Sequence, residues 1–319
     1  MKIVVLDAAT FGDTDLRNFN ELGEIEIFQT TTKSETLKRT ANVDIVVTNK
    51  VVFDEKILAQ SKNLKFICVA ATGVNNIDLQ KAKELGIGVS NVSRYSSPSV
   101  VCHTFSMLFY LLNHSGYYNE YTKGKNWCES KIFTHLDRPF FELDGKQWGI
   151  IGLGTIGKGV AKSAKSFGCD LSYYSTSGKN LHQPYHHNTL DELLKTSDII
   201  SIHSPLNERT VNLIDIKKLK MMKKNAILLN LGRGGIVNER DLAIALDEEL
   251  IMAAGLDVLQ SEPPGKDNPL FHIKNPERIF LTPHIAWASR EARKRLVDEI
   301  IKNIQAFQNG KERNRMECL

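Results

Sequence analysis

Cysteine is scarce in this chain of 319 residues, and its spacing excludes two kinds of site. The five cysteines are odd in number and form no Cys-x-x-Cys pair, so we expect neither a disulfide framework nor a metal site. Free thiols are typical of a reducing compartment. We therefore expect a cytoplasmic protein without a structural metal.

Long apolar runs and long basic runs are also missing. No run approaches the length of a membrane-spanning helix, and the first apolar run, 3–6, is too short for the core of a secretion signal. Lysine and arginine number 41 against 37 acidic residues, which leaves a net charge of only +4. This balance predicts neither a membrane nor a nucleic acid as partner.

Short β-branched runs alternate with helical stretches, which predicts an α/β protein with two parallel sheets. Five strands are expected before residue 91, and six more between 149 and 281, with His186 and His187 in a loop. One predicted helix begins near Pro98, with Ser97 as N-cap, and another begins near Ser289. We therefore predict a discontinuous flavodoxin-like domain, 1–98 plus 287–319, and a doubly wound Rossmann domain, 99–286. A ligand cleft is expected between them.

The stretch 114–144 fits neither sheet, because it is polar and rich in aromatic residues. Loops of this length are usually functional. A surface loop and an arm that packs on another subunit are equally compatible with its composition.

A glycine-rich turn follows the apolar strand 148–151 and opens a helix. Gly152 permits the turn, Gly154 permits close approach of a pyrophosphate, and Gly157 permits helix and strand to pack. The amides at the helix start, including those of Thr155 and Ile156, then face the phosphates. This context favours dinucleotide binding over an ordinary βα turn.

The next strand ends without the acid that normally binds the adenosine ribose. Ser175 stands there, followed by Thr176, Ser177 and Lys179, all of which can contact a 2′-phosphate. A polar loop in an NAD enzyme is the alternative, since no arginine is present to hold the phosphate. The stretch therefore favours NADP over NAD only slightly.

Three further residues have the chemistry of a dehydrogenase. His284 follows the last strand and can exchange a proton with a carbonyl oxygen, although a lone histidine is usually structural. A carboxylate such as Glu262 would favour the protonated imidazole, but its spacing alone fits a loop acid before two prolines. Arg233, between glycines, can bind a carboxylate with its fork or be a surface arginine in a turn.

Taken together, these segments resemble the D-isomer-specific 2-hydroxyacid dehydrogenase family over nearly the whole chain. The segments that carry the resemblance are Gly152–Gly157, Asn230–Gly235 with Val237, Gly255–Glu262 with Pro263, Pro283–His284, Thr72–Asp78 and Asn91–Tyr95.

The resemblance implies that the first domain binds substrate and the second binds NAD(P). It implies Arg233, Glu262 and His284 as the catalytic set, with the amides of Gly73 and Val74 on the substrate carboxylate. It also implies further cofactor contacts, from Asp257 to the nicotinamide carboxamide, and from Ser204, Pro205, Leu231, Thr104 and His284. Ser175, Ser93–Arg94 and Cys102 depart from the family pattern, which leaves cofactor choice and local loop shape open.

The segment 286–293 resembles the glycerate dehydrogenase, or hydroxypyruvate reductase, branch. Trp287 is either a wall of the substrate pocket or a core residue. We expect a homodimer that reduces a small 2-keto acid, hydroxypyruvate or glyoxylate, to the D-hydroxy acid. A phosphoglycerate dehydrogenase-like enzyme and a non-catalytic NAD(H)-sensing regulator remain alternatives. A formate dehydrogenase is disfavoured, because such enzymes carry glutamine at the position of Glu262.

Overall fold

The structure is a computed structural model, and it describes residues 1–318. The chain divides into two compact units. The first comprises Met1–Ser96 and the chain from Ala288 onward, and the second comprises Ser97–Trp287. Residues 97, 98 and 287, which the sequence assigned to the first domain, therefore belong to the second unit.

The first unit is built on a five-stranded parallel sheet with the order β2-β1-β3-β4-β5. Its strands are β1 (Lys2–Val5), β2 (Glu24–Ile27), β3 (Ile45–Thr48), β4 (Phe66–Val69) and β5 (Gly88–Ser90). The helices between these strands are α1 (Lys33–Thr40), α2 (Glu55–Gln60) and α3 (Leu79–Glu84). This strand order is that of flavodoxin, so the predicted flavodoxin-like fold is confirmed.

The second unit begins with two helices, α4 (Ser97–Leu112) and α5 (Ser115–Lys123). Its strands are β6 (Gln147–Ile151), β7 (Asp170–Tyr174), β8 (His186–His187), β9 (Ile199–Ile202), β10 (Ile227–Asn230), β11 (Ala253–Leu256) and β12 (Ile279–Leu281). The intervening helices are α6 (Thr155–Ser166), α7 (Leu190–Thr196), α8 (Ile216–Leu219) and α9 (Glu239–Asp247).

These strands form a parallel sheet with the order β12-β11-β10-β9-β6-β7-β8. The predicted Rossmann fold is thus confirmed, but the prediction of six strands and of a loop at His186–His187 was wrong. Those two residues pair with Ser172 and Tyr173 and add a short seventh strand at the edge. Two polar histidines do not have the apolar pattern from which a strand is predicted.

Two separate apolar clusters cover the faces of the second sheet, one of them shared with α4 and α6. The segment 114–144 is not a plain loop, since α5 and a short 3-10 helix, Asn126–Glu129, occupy its first half. Stacking of Tyr121 on His135 orders this segment further, with 3.8 Å between the ring centroids.

The last helix, α10 (Arg290–Gln308), belongs to the first unit. As predicted, it begins just after Ser289, whose hydroxyl accepts a hydrogen bond from the amide of Ala292. Its apolar stripe packs on β4, where Phe307 stacks on Phe66. Within residues 1–318, no helix is both long enough and apolar enough to cross a membrane.

Candidate active site

The glycine-rich turn follows β6 directly, and its three glycines differ in what a side chain there would meet. Gly152 has a φ of 92°, and a Cβ there would come within 2.9 Å of the Ser204 amide nitrogen. A Cβ at Gly157 would lie 2.4 Å from the carbonyl oxygen of Gly152, so this glycine permits α6 to pack on the turn. A Cβ at Gly154 would meet no atom within 4 Å, which leaves the backbone open to a ligand.

An open cleft of about 820 Å³ lies above this turn, at the carboxyl ends of three neighbouring strands. Eight of its lining residues are among the predicted cofactor contacts: Gly152, Gly154, Ser175, Thr176, Ser177, Lys179, Ser204 and Pro205. The other six lining residues were not predicted from the sequence: Leu153, Asn180, His203, Asn207, Glu208 and Arg209. Thr155 and Ile156 form the first turn of α6, which contains no acidic residue to compete with a bound phosphate.

Two polar side chains in this cleft have buried polar atoms that lack partners. Neither ring nitrogen of His203 nor the Ser204 hydroxyl has a hydrogen-bond partner within residues 1–318. Burial lowers the pKa of His203 to about 3, so its imidazole is neutral at physiological pH. Buried polar groups are normally satisfied, and a neutral imidazole has one donor and one acceptor to offer. These unsatisfied atoms and the open backbone at Gly154 fit a polar ligand such as a dinucleotide.

An arginine does reach the loop after β7, so the prediction that none is present there was wrong. Arg209, in the loop that follows β9, donates a hydrogen bond from Nη1 to the carbonyl oxygen of Ser177 at 3.2 Å. Arg209 is 32 residues away from Ser177 in the chain. The sheet topology could have predicted this contact, because the loops at the carboxyl ends of adjacent parallel strands lie along the same edge of a sheet.

His284 and Glu262 form a close pair in the second unit. The Nδ1 atom of His284 lies 2.6 Å from Oε2 of Glu262, and the two side chains are 26% and 33% exposed. The other carboxylate oxygen, Oε1, accepts a hydrogen bond from the amide of Leu259 at 3.0 Å. An ionised carboxylate can only accept, so Nδ1 donates and Nε2 is left for exchange with a substrate.

Asp257 holds the segment that carries His284. Its carboxylate is 2% exposed and accepts hydrogen bonds from the amides of Ile285 and Ala286 at 2.8 and 2.9 Å. The hydroxyl of Thr282 donates to it at 2.6 Å, and Nε2 of His103 lies 3.1 Å from that hydroxyl. Asp257 therefore has a visible positioning role, and its contact with the nicotinamide carboxamide stays a prediction.

The backbone of His284 adopts a left-handed conformation that residues other than glycine rarely adopt. Its φ is 55°, and its amide donates to the carbonyl oxygens of Asp257 and Thr282, both at 2.9 Å. Non-glycine residues in this region cost of order 1 kcal/mol and cluster at functional sites. The network around Asp257 stabilises this conformation.

Arg233 is brought to the same neighbourhood by its glycines. A Cβ at Gly234 would lie 1.8 Å from the carbonyl oxygen of Leu259, so the turn packs directly on the segment that leads to Glu262. Asn230 closes the turn by accepting from the amide of Gly232 at 3.1 Å and donating to the carbonyl of Arg233 at 2.9 Å. The turn that carries Arg233 therefore lies against the segment that leads to Glu262, and Nη1 of Arg233 donates to the carbonyl of Gly232 at 2.8 Å.

Three predicted ligand contacts of the second unit are buried or partly buried. Thr104 has no exposed surface, and its hydroxyl donates to the carbonyl of Val100, so the predicted cofactor contact is not available in this conformation. Leu231 is 7% exposed and belongs to the apolar core. Trp287 packs against that same core but is only partly buried. It is therefore a core residue in part, and some of its surface stays accessible.

Gly73 and Val74 lie in the first unit, in the loop that follows β4. At one end of this loop, the hydroxyl of Thr72 donates to the carbonyl of Val92 at 3.0 Å. At the other end, the amide of Ile77 donates to the carbonyl of Val74 at 3.0 Å. Within residues 1–318, the amides of Gly73 and Val74 donate to no protein acceptor. Two adjacent amides of this kind suit an anion.

Comparison with known proteins decides the family. Residues 105–286 match the model of the D-isomer specific 2-hydroxyacid dehydrogenase, NAD binding domain. The chain belongs to this family. It is an oxidoreductase that acts on the CH–OH group of hydroxyacids, and its second unit is an NAD-binding domain.

Similarity extends over nearly the full length of three known proteins. The chain is 37% identical to a hydroxypyruvate reductase of Blautia hydrogenotrophica, with 97% of this chain and 98% of that protein covered. It is 36% identical to a glycerate dehydrogenase of Methylorubrum extorquens, with 99% of both covered. The solved structure of an acyclic imino acid reductase (Bsp5), in complex with NADPH and D-Arg, matches with a TM-score of 0.85 at 31% identity, covering 99% of this chain and 100% of that one.

His203 should make the second unit less stable in acid. The unfolded chain protonates this imidazole near its ordinary pKa of 6.5, whereas the folded state resists protonation down to about pH 3. The stabilising contribution is therefore complete above pH 6.5 and is lost as the pH falls toward 3. Below about pH 6, the free energy of unfolding should fall about 1.4 kcal/mol per pH unit more steeply than in His203→Gln.

Urea unfolding followed by tryptophan fluorescence measures this difference, because Trp127, Trp148 and Trp287 all lie in the second unit. His182→Gln is the matched control, since it makes the same change at an exposed position. Its pH slope should equal that of the wild type. Equal slopes for the wild type and His203→Gln would contradict a buried neutral imidazole.

Proposed function

We propose that this D-2-hydroxyacid dehydrogenase reduces a small 2-keto acid to the D-hydroxy acid, with hydroxypyruvate or glyoxylate as substrate. The hydroxypyruvate reductase and the glycerate dehydrogenase that resemble it over nearly their full length support hydroxypyruvate in particular. The pair formed by His284 and Glu262 is the single structural observation that carries the proposal, because it equips the site for proton transfer.

Proton transfer falls to His284. Glu262 accepts the hydrogen bond from Nδ1 and stabilises the imidazolium, so that Nε2 is a proton donor for the carbonyl oxygen at C2 of the keto acid. In the reverse direction, the neutral imidazole takes the proton back from the hydroxyl group. The Asp257 network holds the ring in place during both steps.

The substrate carboxylate is an anion, and we expect it to be bound by cationic and amide groups. We assign the substrate carboxylate to the guanidinium of Arg233. The family resemblance also implies a substrate contact for the amides of Gly73 and Val74, which donate to no protein acceptor within residues 1–318. Arg233 also polarises the adjacent ketone. Trp287 is assigned to the wall of the substrate pocket through its exposed face.

A nicotinamide dinucleotide, when bound, supplies or accepts the hydride at C2. Gly152, Gly154 and the first turn of α6 would hold its pyrophosphate. Ser204, Pro205, Asp257 and His284 would lie toward the nicotinamide end, and Ser175–Ser177 with Lys179 toward the adenosine ribose. Ser175 replaces the acid that repels a 2′-phosphate, so we propose NADP as the preferred cofactor, as in the NADPH complex of the imino acid reductase.

A purified protein with this function should turn over keto acids in a defined pattern. We predict that hydroxypyruvate and glyoxylate are reduced with NADPH, and that larger 2-keto acids have lower kcat/KM. His284→Gln should lower kcat roughly 100-fold or more, because general acid catalysis is typically worth that much. The decrease in NADPH absorbance measures both the substrate preference of the wild type and the kcat of His284→Gln.

His272→Gln is the matched control, since it changes an exposed histidine of the same unit. Its kcat should stay within about twofold of the wild type. Tight NADPH binding without turnover of any 2-keto acid would overturn the proposal and favour a non-catalytic NAD(H)-sensing regulator. Turnover of 3-phosphohydroxypyruvate alone would favour a phosphoglycerate dehydrogenase.

We further propose that the enzyme is a cytoplasmic homodimer joined through the segment 114–144. Four large apolar side chains of this segment are between 59% and 89% exposed: Ile132, Phe133, Leu136 and Phe140. An exposed apolar patch of this kind is typical of a protein–protein interface. The five cysteines are free, as expected in a reducing cytoplasm, and fractionation of cells that produce the protein tests that location.

Light scattering after gel filtration tests the dimer. The wild type should have twice the chain mass of 35.9 kDa, and the double variant Phe133→Asp, Leu136→Asp should have the mass of one chain. Ile244→Asp is the control, because it places a charge on an exposed apolar residue of α9 outside the segment. A wild type that elutes as one chain, or a double variant that stays dimeric, would contradict the proposal.

A further inference from the structure

We propose that Arg209, in the loop after β9, determines cofactor specificity by binding the 2′-phosphate of NADP together with Lys179. This inference rests on the proposed function, because it concerns the same cleft and names the group that recognises one part of the cofactor. The loop after β7 itself contains no arginine, and Arg209 reaches it from the loop after β9.

The loop after β7 is folded so that its polar side chains and amides surround one end of the cleft. The Ser175 hydroxyl accepts from the amide of Asn180 at 3.3 Å, and the Ser177 hydroxyl accepts from the amide of Lys179 at 3.2 Å. Asn180 in turn donates to the carbonyl of Leu153 at 2.6 Å. The loop is thereby tied to the phosphate-binding turn, where the adenosine half of a dinucleotide belongs.

The position of Arg209 follows from its own loop. The side chain of Asn207 accepts from the amide of Arg209 at 2.9 Å, and the buried Thr210 hydroxyl donates to the carbonyl of Pro205 at 2.8 Å. The amide of Asn207 donates back to Thr210 at 2.8 Å. These bonds make the loop a compact turn and direct Arg209 to the carbonyl of Ser177.

One nitrogen of the guanidinium is used in the contact with Ser177, so the other donors stay available to a ligand. A guanidinium has a planar fork that matches the oxygens of a phosphate, and Lys179 lines the same cleft and adds a second positive charge. NAD has only a hydroxyl at this position, so it gains little from either cation.

Glu208 is the one carboxylate among the residues that line this cleft, and it would oppose a phosphate and favour the ribose hydroxyls of NAD. Among the described residues it has no polar partner, whereas Arg209 is fixed to the β7 loop. Of the two residues, Arg209 is the one held in place, and we assign it the dominant effect on the choice between NADP and NAD.

Direct binding of NADPH and NADH, measured by isothermal titration calorimetry, tests this assignment without any turnover. The wild type should bind NADPH at least about 10-fold more tightly than NADH. Arg209→Ala should weaken NADPH binding roughly 10- to 100-fold, as expected for loss of charged hydrogen bonds, and should change NADH binding by no more than about twofold. Arg209→Lys should be intermediate, because it keeps the charge and loses the fork.

Arg240→Ala is the matched control, since it removes the same charge from an exposed position on α9. Its affinity for both cofactors should equal that of the wild type. Circular dichroism of each variant shows that folding is retained, which is expected because Arg209 is exposed.

Two results would overturn the inference: tighter binding of NADH than of NADPH by the wild type, or equal loss of both cofactors in Arg209→Ala. Failure of the proposed function is a separate outcome, because it consists of no turnover of any 2-keto acid. An Arg209→Ala variant that loses only NADPH affinity would support the inference even then.

Discussion

The buried carboxylate of Asp257 is the constraint on which the catalytic side of the second unit depends. It terminates β11 and accepts three hydrogen bonds from the segment that follows β12. Since β11 and β12 are neighbours in the sheet, one side chain joins their ends and defines the path of the chain through His284. A carboxylate buried to this degree is stable only when it is hydrogen-bonded, so the fold and the network require each other.

His284 shows what this constraint achieves. Its positive φ is unfavourable for a side chain, and it persists because the amides on its C-terminal side are bonded to Asp257. Held in this conformation, the imidazole places Nδ1 on Glu262 and leaves Nε2 for the substrate. Rigid placement of a proton donor is a large part of what an active site contributes to catalysis.

Much of this could be predicted from the sequence, because the relevant signals are local. The alternation of β-branched and helical stretches predicts both sheets, and the glycines at 152, 154 and 157 occur in the strand-to-helix context that they require. Other features depend on tertiary contacts that no local pattern encodes. Arg209 reaches Ser177 across 32 residues, and the burial of Thr104 and the pairing of His186–His187 depend on neighbouring elements. The family resemblance predicts only a cofactor contact for Asp257, because its bonds to the His284 segment are tertiary contacts between residues 25 to 29 positions apart.

The kcat of Asp257→Asn tests the dependence on this carboxylate most directly. The amide keeps the shape of the side chain but cannot accept at both positions, so the His284 segment should lose its fixed path. We expect kcat for keto acid reduction to fall roughly 100-fold, as for a small misplacement of a catalytic group, while NADPH binding weakens much less. Asp267→Asn, at an exposed position, should leave kcat within about twofold of the wild type. A kcat for Asp257→Asn that equals the wild-type value would contradict the central role of this network.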